Sequence, residues 1–360
     1  MTGQHRIVVL GAGYAGLSAA RRFAGKGAEV TVVDARAEFV ERVRLHQVAA
    51  GQSVRRWDLA ELLRGKGIGF VHARAEHIDT AAGQVRLHDG ATLAYDTLVY
   101  ALGSIADTAG VPGAAEHAKF VATPEDLTWT AGAGRIAVVG AGATGIELAA
   151  ELAESLPDSR VTLFSPDEPG AWLSPKAVAH IRRVLERLGV EIRPDAKVTE
   201  VLADGVRLAS GEVVPTDVTV WTTGFGVPDL AARSGLAVDA AGRVRTDSSL
   251  RSVSHPNVYA AGDSAVVAGP GDRELRMACA TALPTGKYAA DAALARLAGR
   301  EPRGLGFRYV LQCLSLGRHD GLVQFVRADD SPRGTVLRGR TGAWVKERIV
   351  RFAAASAGAK

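Results

Sequence analysis

Cysteine is nearly absent from this sequence: two residues in 360, Cys279 and Cys313, neither in a CxxC nor any other close pair. That excludes a local dithiol redox motif and argues against a disulfide-stapled secreted fold. Lysine is scarce too, eight of 43 basic residues, and the basic residues form no block. The net charge of +4 is therefore spread along the chain, whereas nucleic-acid binding concentrates it in a stripe, so no nucleic-acid partner is expected. There is no run of about eighteen apolar residues, so no transmembrane helix is expected. Ile7 to Ala20 imitates a signal-peptide core, but it carries three spaced glycines and runs on toward an alternating strand, and reads as structure. His46 has no ligand partner at helical spacing and reads as packing or polar surface; no metal site is expected.

What is abundant is glycine, 41 residues, several at fixed offsets after apolar runs. With 47% apolar and 23% charged residues the chain has the composition of a soluble, cytoplasmic globular protein, and its length suggests two or three domains. The organising feature is an internal repeat. Arg6-Ile-Val-Val-Leu-Gly-Ala-Gly-Tyr-Ala-Gly16 recurs as Arg135-Ile-Ala-Val-Val-Gly-Ala-Gly-Ala-Thr-Gly145, at a constant offset of 129. Each copy runs from a β-branched strand through GxGxxG into an Ala-rich helical stretch, Leu17 to Ala24 and Ile146 to Leu156. A second strand follows each, Val30–Val33 and Val161–Phe164. This is a βαβ unit twice over, and it predicts an α/β fold of two Rossmann-like three-layer domains.

A lone GxGxxG is weak, but here both copies follow a strand and open a helix, which is the context that gives the motif meaning. Gly11 and Gly140 allow the tight turn, Gly13 and Gly142 let backbone approach a pyrophosphate, and Gly16 and Gly145 let helix and strand pack closely. The helix N-termini, with Tyr14 and Ala15 in one and Ala143 and Thr144 in the other, offer free N–H groups to phosphates. The first copy ends its second strand on Asp34, placed to bond both hydroxyls of a ribose; the second has Ser165 there. Asp167 and Glu168 lie just beyond it and no arginine adjoins them. NADH and NADPH both remain open, with a lean to NADH.

Three further strands end in small-residue turns: Tyr95 to Ala101-Leu102-Gly103, Val218 to Thr223-Gly224, and Asn257 to Gly262-Asp263. In this order the motifs resemble the two-dinucleotide-binding-domain flavoproteins, over about residues 5 to 300. The resemblance implies FAD on the first repeat, contacted by Asp34, Ala35, Ala75, Ala101 and Gly103, with Asp263 on the ribityl chain and Pro284 and Thr285 flanking the ring. It implies NADH or NADPH on the second repeat, with Ser165, Thr223 and Gly224. The FAD domain is expected to be discontinuous, 1–112 and 243–300, around an NAD(P)H domain at 113–242, with a small C-terminal interface domain at 301–360.

Within that group, Phe39 to Gly51 holds no cysteine pair and the inserted domain no CxxC, so the chain departs from the disulfide and thioredoxin reductases. Val48-Ala-Ala-Gly51 and Gly145-Ile-Glu147 look most like type II NADH dehydrogenases and apoptosis-inducing-factor-like reductases. In these the acid matching Glu147 sits near the nicotinamide and flavin; the plain alternative is an exposed first-turn acid favoured by the helix dipole. Arg42 and Arg44 are candidates to reach FAD, or else exposed helix arginines. Type II dehydrogenases carry glutamines before the glycine matching Gly286; Cys279-Ala-Thr-Ala-Leu-Pro-Thr-Gly286 has none, which puts a quinone acceptor in question. The expected activity is hydride transfer from NAD(P)H to flavin and on to a quinone-like or other small-molecule acceptor. The rivals are a reductase of a ferredoxin-like protein and a redox-responsive binding protein. The segment Trp344 to Phe352 is expected to form an amphipathic helix docking on the body or on a second subunit of a homodimer, with peripheral membrane contact as the alternative.

Overall fold

In the computed structural model, residues 4–108, 110–127 and 134–359 are described. Two five-stranded, wholly parallel sheets form the frame. The first has the spatial order Val258–Ala260, Thr97–Tyr100, His5–Leu10, Ala28–Asp34, Gly69–His72; the second, Lys119–Phe120, Val218–Trp221, Arg135–Val139, Arg160–Phe164, Glu191–Arg193. The orders correspond strand for strand, so the repeat extends well beyond its glycine turns. Parallel strands covered on both faces must be apolar throughout, and Ile7 to Leu10 and Ile136 to Val139 are buried without interruption. Each sheet carries a three-stranded antiparallel flap, Ala75–Asp79 with Gln84–Leu87 and Thr92–Ala94 in one, Val198–Leu202 with Gly205–Leu208 and Val213–Pro215 in the other. Even a surface device is repeated: Arg6 and Arg135 open their strands in bidentate contact with Asp96 and Asp217.

The outermost strand of each sheet has a different origin. Lys119–Phe120 precedes the second repeat, while Val258–Ala260 comes to the first sheet only after the whole second sheet has been laid down. The chain returns to the first core early: Leu230, Ala231 and Leu236 are buried in it, and Ile78 N donates to Ser234 Oγ at 3.0 Å.

The helices of the repeats run over Tyr14–Phe23 and Ala143–Ser155, each beginning about three residues before the apolar periodicity suggests. The reason is local: residues 14–16 and 143–145 are read as turn by composition, but Gly13 and Gly142 act as N-caps and the helix starts directly behind them. Helix Cys279–Leu297 lies against Tyr14–Phe23. A Cβ on Gly286 would collide with the carbonyl of Ala15, so glycine is required for this approach.

The C-terminal segment is a three-stranded antiparallel sheet, Leu311–Ser315, Gly321–Val326 and Pro332–Arg338, followed by helix Gly339–Ala357. That helix docks on the body, burying Val350, Ala353, Ala354 and Ala357 and leaving Trp344 and Phe352 exposed. No helix among the described residues is long and apolar enough to cross a membrane.

Candidate active site

The two glycine turns are built alike. Gly11 N donates to Val33 O and Gly140 N to Phe164 O, both at 2.8 Å, which ties each turn to its neighbouring strand. A Cβ on Gly16 would collide with the Gly11 carbonyl, and one on Gly145 with that of Gly140. Gly11 is likewise pressed against the Ala101 carbonyl, and a Cβ on Gly140 would come 2.6 Å from Thr223 Cγ2. The middle glycines differ: a Cβ on Gly13 or on Gly142 has nothing within 4 Å. Both are exposed, both cap a helix, and neither cap has a side-chain hydrogen bond, so the helix N–H groups behind them are left for a ligand. Close backbone approach is thus possible at the positions a dinucleotide pyrophosphate requires, and a side chain would fill each cradle. The residues fit FAD in one turn and a nicotinamide dinucleotide in the other.

Around the first turn the structure gathers most of the expected residues. Asp34, half-buried, accepts from Ala12 N (2.6 Å) and Arg36 N (2.8 Å), which fixes its carboxylate at the mouth of the turn. Ala35 is exposed beside it, and Ala75 opens the adjoining flap, half-buried. Buried Tyr14 packs edge-on against Phe39, its hydroxyl without a partner. Beyond Ala101, Gly103 turns the chain at φ +70° and hands Ser104 to Asp263: Ser104 Oγ donates to Asp263 Oδ2 at 2.7 Å. Arg42 donates to Ser104 Oγ at 3.2 Å and stands 3.8 Å from Asp263. Burial depresses its guanidinium below the ordinary arginine value, against the pull of Asp263. Arg42 therefore belongs to this cluster, whereas Arg44 is bound in a bidentate pair with Glu347 of the terminal helix. Pro284 is half-buried, but the expectation that Thr285 flanks a ring needs correction: it is 1% exposed. Its hydroxyl accepts from Gly262 N and donates to Thr281 O, so it holds the Gly262-Asp263 turn in place.

Around the second turn, Thr222 Oγ1 donates to Val139 O (2.8 Å) and Gly140 O (3.0 Å), and Gly224 follows Thr223 in the same left-handed conformation as Gly103. Ala143 is exposed and Thr144 half-buried at the helix start, and a small cavity beside Thr144 is walled by Trp221, Gly224 and Phe225. Ser165 is buried, its hydroxyl accepting from Asp167 N. Glu168 is held by Arg182 through two bonds, and Arg193 lies across the ring of Phe164. Two arginines are brought near Ser165 by the following helix and strand, each held by a carboxylate: Arg182 by Glu168 and Arg193 by Glu212.

Glu147 is not an exposed first-turn acid. It is buried, and Oε1 takes Ser315 N at 2.8 Å and Lys346 Nζ at 2.9 Å. Burial works to raise this carboxyl, but Lys346, His46 and the Ser315 amide together outweigh it and hold Glu147 below the ordinary glutamate value. Lys346 is shifted upward: burial opposes its charge, while Cys313 and Glu147 favour it. Lys346 Nζ also donates to Cys313 O. Burial raises the thiols of Cys279 and Cys313. His46, read as packing or surface, is buried between Glu147 and Glu151, with a ring nitrogen 3.9 Å from each carboxylate. Burial pushes it down to about 4, so it is neutral near pH 7. Glu151, raised by burial against the pull of Arg318, bonds Arg318 at 2.6 Å and also Gln52. This polar knot joins the first module, the second module and the C-terminal segment. Lys346, Ser104 and Glu151 were not singled out from the sequence. Lys346 had one signal: it is the lone lysine in a helix whose other basic residues are arginines.

Comparison with known proteins agrees with this architecture. The sequence profile of the pyridine nucleotide-disulphide oxidoreductases matches residues 5–286. An NADH dehydrogenase-like protein of Mycobacterium tuberculosis is 31% identical over 314 residues, covering 79% of this chain and 78% of its own. A type II NADH:quinone oxidoreductase of the same organism is 28% identical over 358 residues, covering 83% and 74%. Among solved structures, NDH2 from Plasmodium falciparum in complex with NADH superposes with a TM-score of 0.83 over 99% of this chain and 96% of that one, at 13% identity, a likeness of fold. With twin cradles, matching sheets and a family profile that spans both, the chain belongs to the pyridine nucleotide-disulphide oxidoreductase family.

Proposed function

We propose that the chain is an FAD-dependent NADH:acceptor oxidoreductase whose acceptor is quinone-like. The observation that carries this is the pair of cradles, each with its middle glycine open. Gly11 to Gly16, Asp34, Arg42, Gly103 and Asp263 would hold FAD; Gly140 to Gly145, Thr223 and Gly224 would hold the nicotinamide dinucleotide. Domain boundaries at 1–112 with 243–300, 113–242 and 301–360 go with that division, except that the return to the first core begins earlier, at Leu230. Bound FAD supplies the two-electron relay between NADH and acceptor. The protein's own part is orientation and electrostatics. Glu147, one turn behind the second cradle's mouth, and Lys346 of the terminal helix place a buried ion pair and a proton-bearing ammonium between the second module and the C-terminal segment. The chain's two cysteines do not form a CxxC, so electrons leave the flavin without a local dithiol relay. The names of the relatives, an NADH dehydrogenase-like protein and a type II NADH:quinone oxidoreductase, support the same reading. We take the exposed Trp344 and Phe352 as the face for peripheral membrane contact or a second copy.

The test is steady-state oxidation of NADH by the purified yellow protein with small quinones, dyes, or an added iron–sulfur protein. Turnover with quinones is expected. Turnover confined to the iron–sulfur protein would overturn the acceptor assignment, and failure of NADH to bleach the bound flavin would overturn the activity itself.

A further inference from the structure

We propose that a cationic cleft beside the terminal helix binds an anionic aromatic acceptor: a small quinone bearing a carboxylate, a sulfonate or an ionised hydroxyl. This rests on the quinone-like reading above and narrows it. The cleft, about 420 Å³, lies between the Arg42–Ala49 segment, the turn after Ser315 and helix Gly339–Ala357. That volume suits a bicyclic ring rather than a dinucleotide.

Arg44, Arg318, Arg340 and Lys346 line it, with one acid, Glu347, on the same surface. Lys346 and Arg318 are paired inward with the buried carboxylates of Glu147 and Glu151, which leaves Arg340 as the cation turned to solvent. Glu347 is drawn onto Arg44 by two 2.9 Å bonds. Two lining groups, Arg340 and His319, are exposed and make no hydrogen bond or ion pair among the described residues. Trp344, 60% exposed, supplies an aromatic wall. A neutral hydrophobic quinone would desolvate the unpaired Arg340 without compensation, which is costly. An anion would pair with it in charge-assisted hydrogen bonds. The cleft reaches Lys346, and so the ion pair that joins the second module to the C-terminal segment. The absence of glutamines before Gly286 fits a site that recognises its ligand by charge. Each turnover takes two electrons and one proton from NADH and a second proton from water, and the two quinone carbonyls leave as hydroxyls.

The test compares naphthoquinone with naphthoquinone sulfonate in the FAD-loaded wild type, Arg340→Glu and Arg340→Lys. The readout is the ratio of kcat/KM, sulfonate over neutral, within each protein, because the ratio cancels flavin content and the intrinsic difference between the quinones. Arg340→Glu should lower it about tenfold or more, the size of a lost charged hydrogen bond, and Arg340→Lys should keep it near the wild-type value. A ratio within about twofold of wild type in Arg340→Glu overturns the proposal. Calorimetric titration with naphthalene sulfonate, which accepts no electrons, tests the cleft apart from turnover. Saturable binding that weakens in Arg340→Glu supports it; absence of saturable binding overturns it. Saturable binding together with failure of both quinones to turn over would overturn the acceptor role, and with it the quinone reading, while locating an anion site.

Discussion

Replacing Gly142 with valine separates nicotinamide binding from folding. Gly142 has φ −71° and ψ −176°, ordinary extended backbone that valine adopts readily, and its Cβ direction meets nothing within 4 Å. As an N-cap without a side-chain hydrogen bond it gives up little on substitution, at most about 1 kcal/mol, or a shift in Tm of about 1 °C for a chain of this size. The branched side chain would nonetheless occupy the space through which the pyrophosphate must reach the N–H groups of Ala143 and its neighbours. Losing two charge-assisted bonds there costs about 3–6 kcal/mol, which weakens NADH roughly a hundredfold to ten-thousandfold. The assay is the NADH dependence of bleaching of the bound flavin. It should become slow and linear in NADH, while dithionite still bleaches the flavin and the Tm holds. The contrast is Gly145→Ala, whose Cβ collides with the Gly140 carbonyl and should lower the Tm instead. In the first repeat, Gly13→Val should cost the flavin itself. A Gly142→Val protein that saturates with NADH within about threefold of wild type would refute the cradle argument, and one that loses FAD would reverse the assignment of the modules.

Four further outcomes follow from the same geometry. Asp263→Ala removes the acceptor of Ser104 and should weaken FAD retention by about 1.5–3 kcal/mol, read as flavin released on dilution. Lys346→Met strands Glu147 as a buried unpaired carboxylate and should destabilise by about 3–5 kcal/mol in denaturant titration, much of it recovered in the double variant with Glu147→Gln. His46 titrates at about 4 in the fold against an unfolded value of about 6.5. The unfolded chain therefore binds the extra proton between those values, and stability present above pH 6.5 is lost as pH falls toward 4, by up to roughly 3 kcal/mol. His46→Gln should flatten that part of the stability–pH curve. Ser165→Asp, restoring the acid that Asp34 supplies in the first repeat, should raise the NADH over NADPH preference about tenfold in kcat/KM.

The parts of the fold that could be read beforehand were those written locally. Within each repeat the glycine turn, the strands flanking it and the residue at the end of the second strand, Asp34 or Ser165, lie within about thirty residues, and their spacing states their geometry. Strand Lys119–Phe120 is two residues long and has no signature apart from the neighbour it pairs with. The knot around Glu147 was hidden for a related reason. Its lysine comes from the last helix, its histidine from the first module and its acids from the second, so no window of sequence holds a charge together with its partner. Burial, too, inverted a local reading, because His46 on a short helix looks like surface until helix Ala143–Ser155 packs against it. The arginines near Ser165, Arg182 and Arg193, were invisible for the same reason as Lys346: each arrives from a later element.

The provenance of the outer strands bears on the order in which the molecule is completed during synthesis. All five strands of the second sheet lie between Lys119 and Trp221, so that module has its full complement as soon as this stretch has emerged. The first sheet begins at His5 yet lacks its edge until Val258–Ala260 appears, and helix Tyr14–Phe23 stays uncovered until Cys279–Leu297 can lie against it. Domains generally fold as units as the chain grows, N-terminal ones first. Here the sequence is inverted: the module made first is finished last, and it must wait, with an apolar sheet edge and a bare helix face, for its inserted partner to fold. A released fragment ending near residue 240 should accordingly protect the inserted module from protease while residues 5–100 remain open to it.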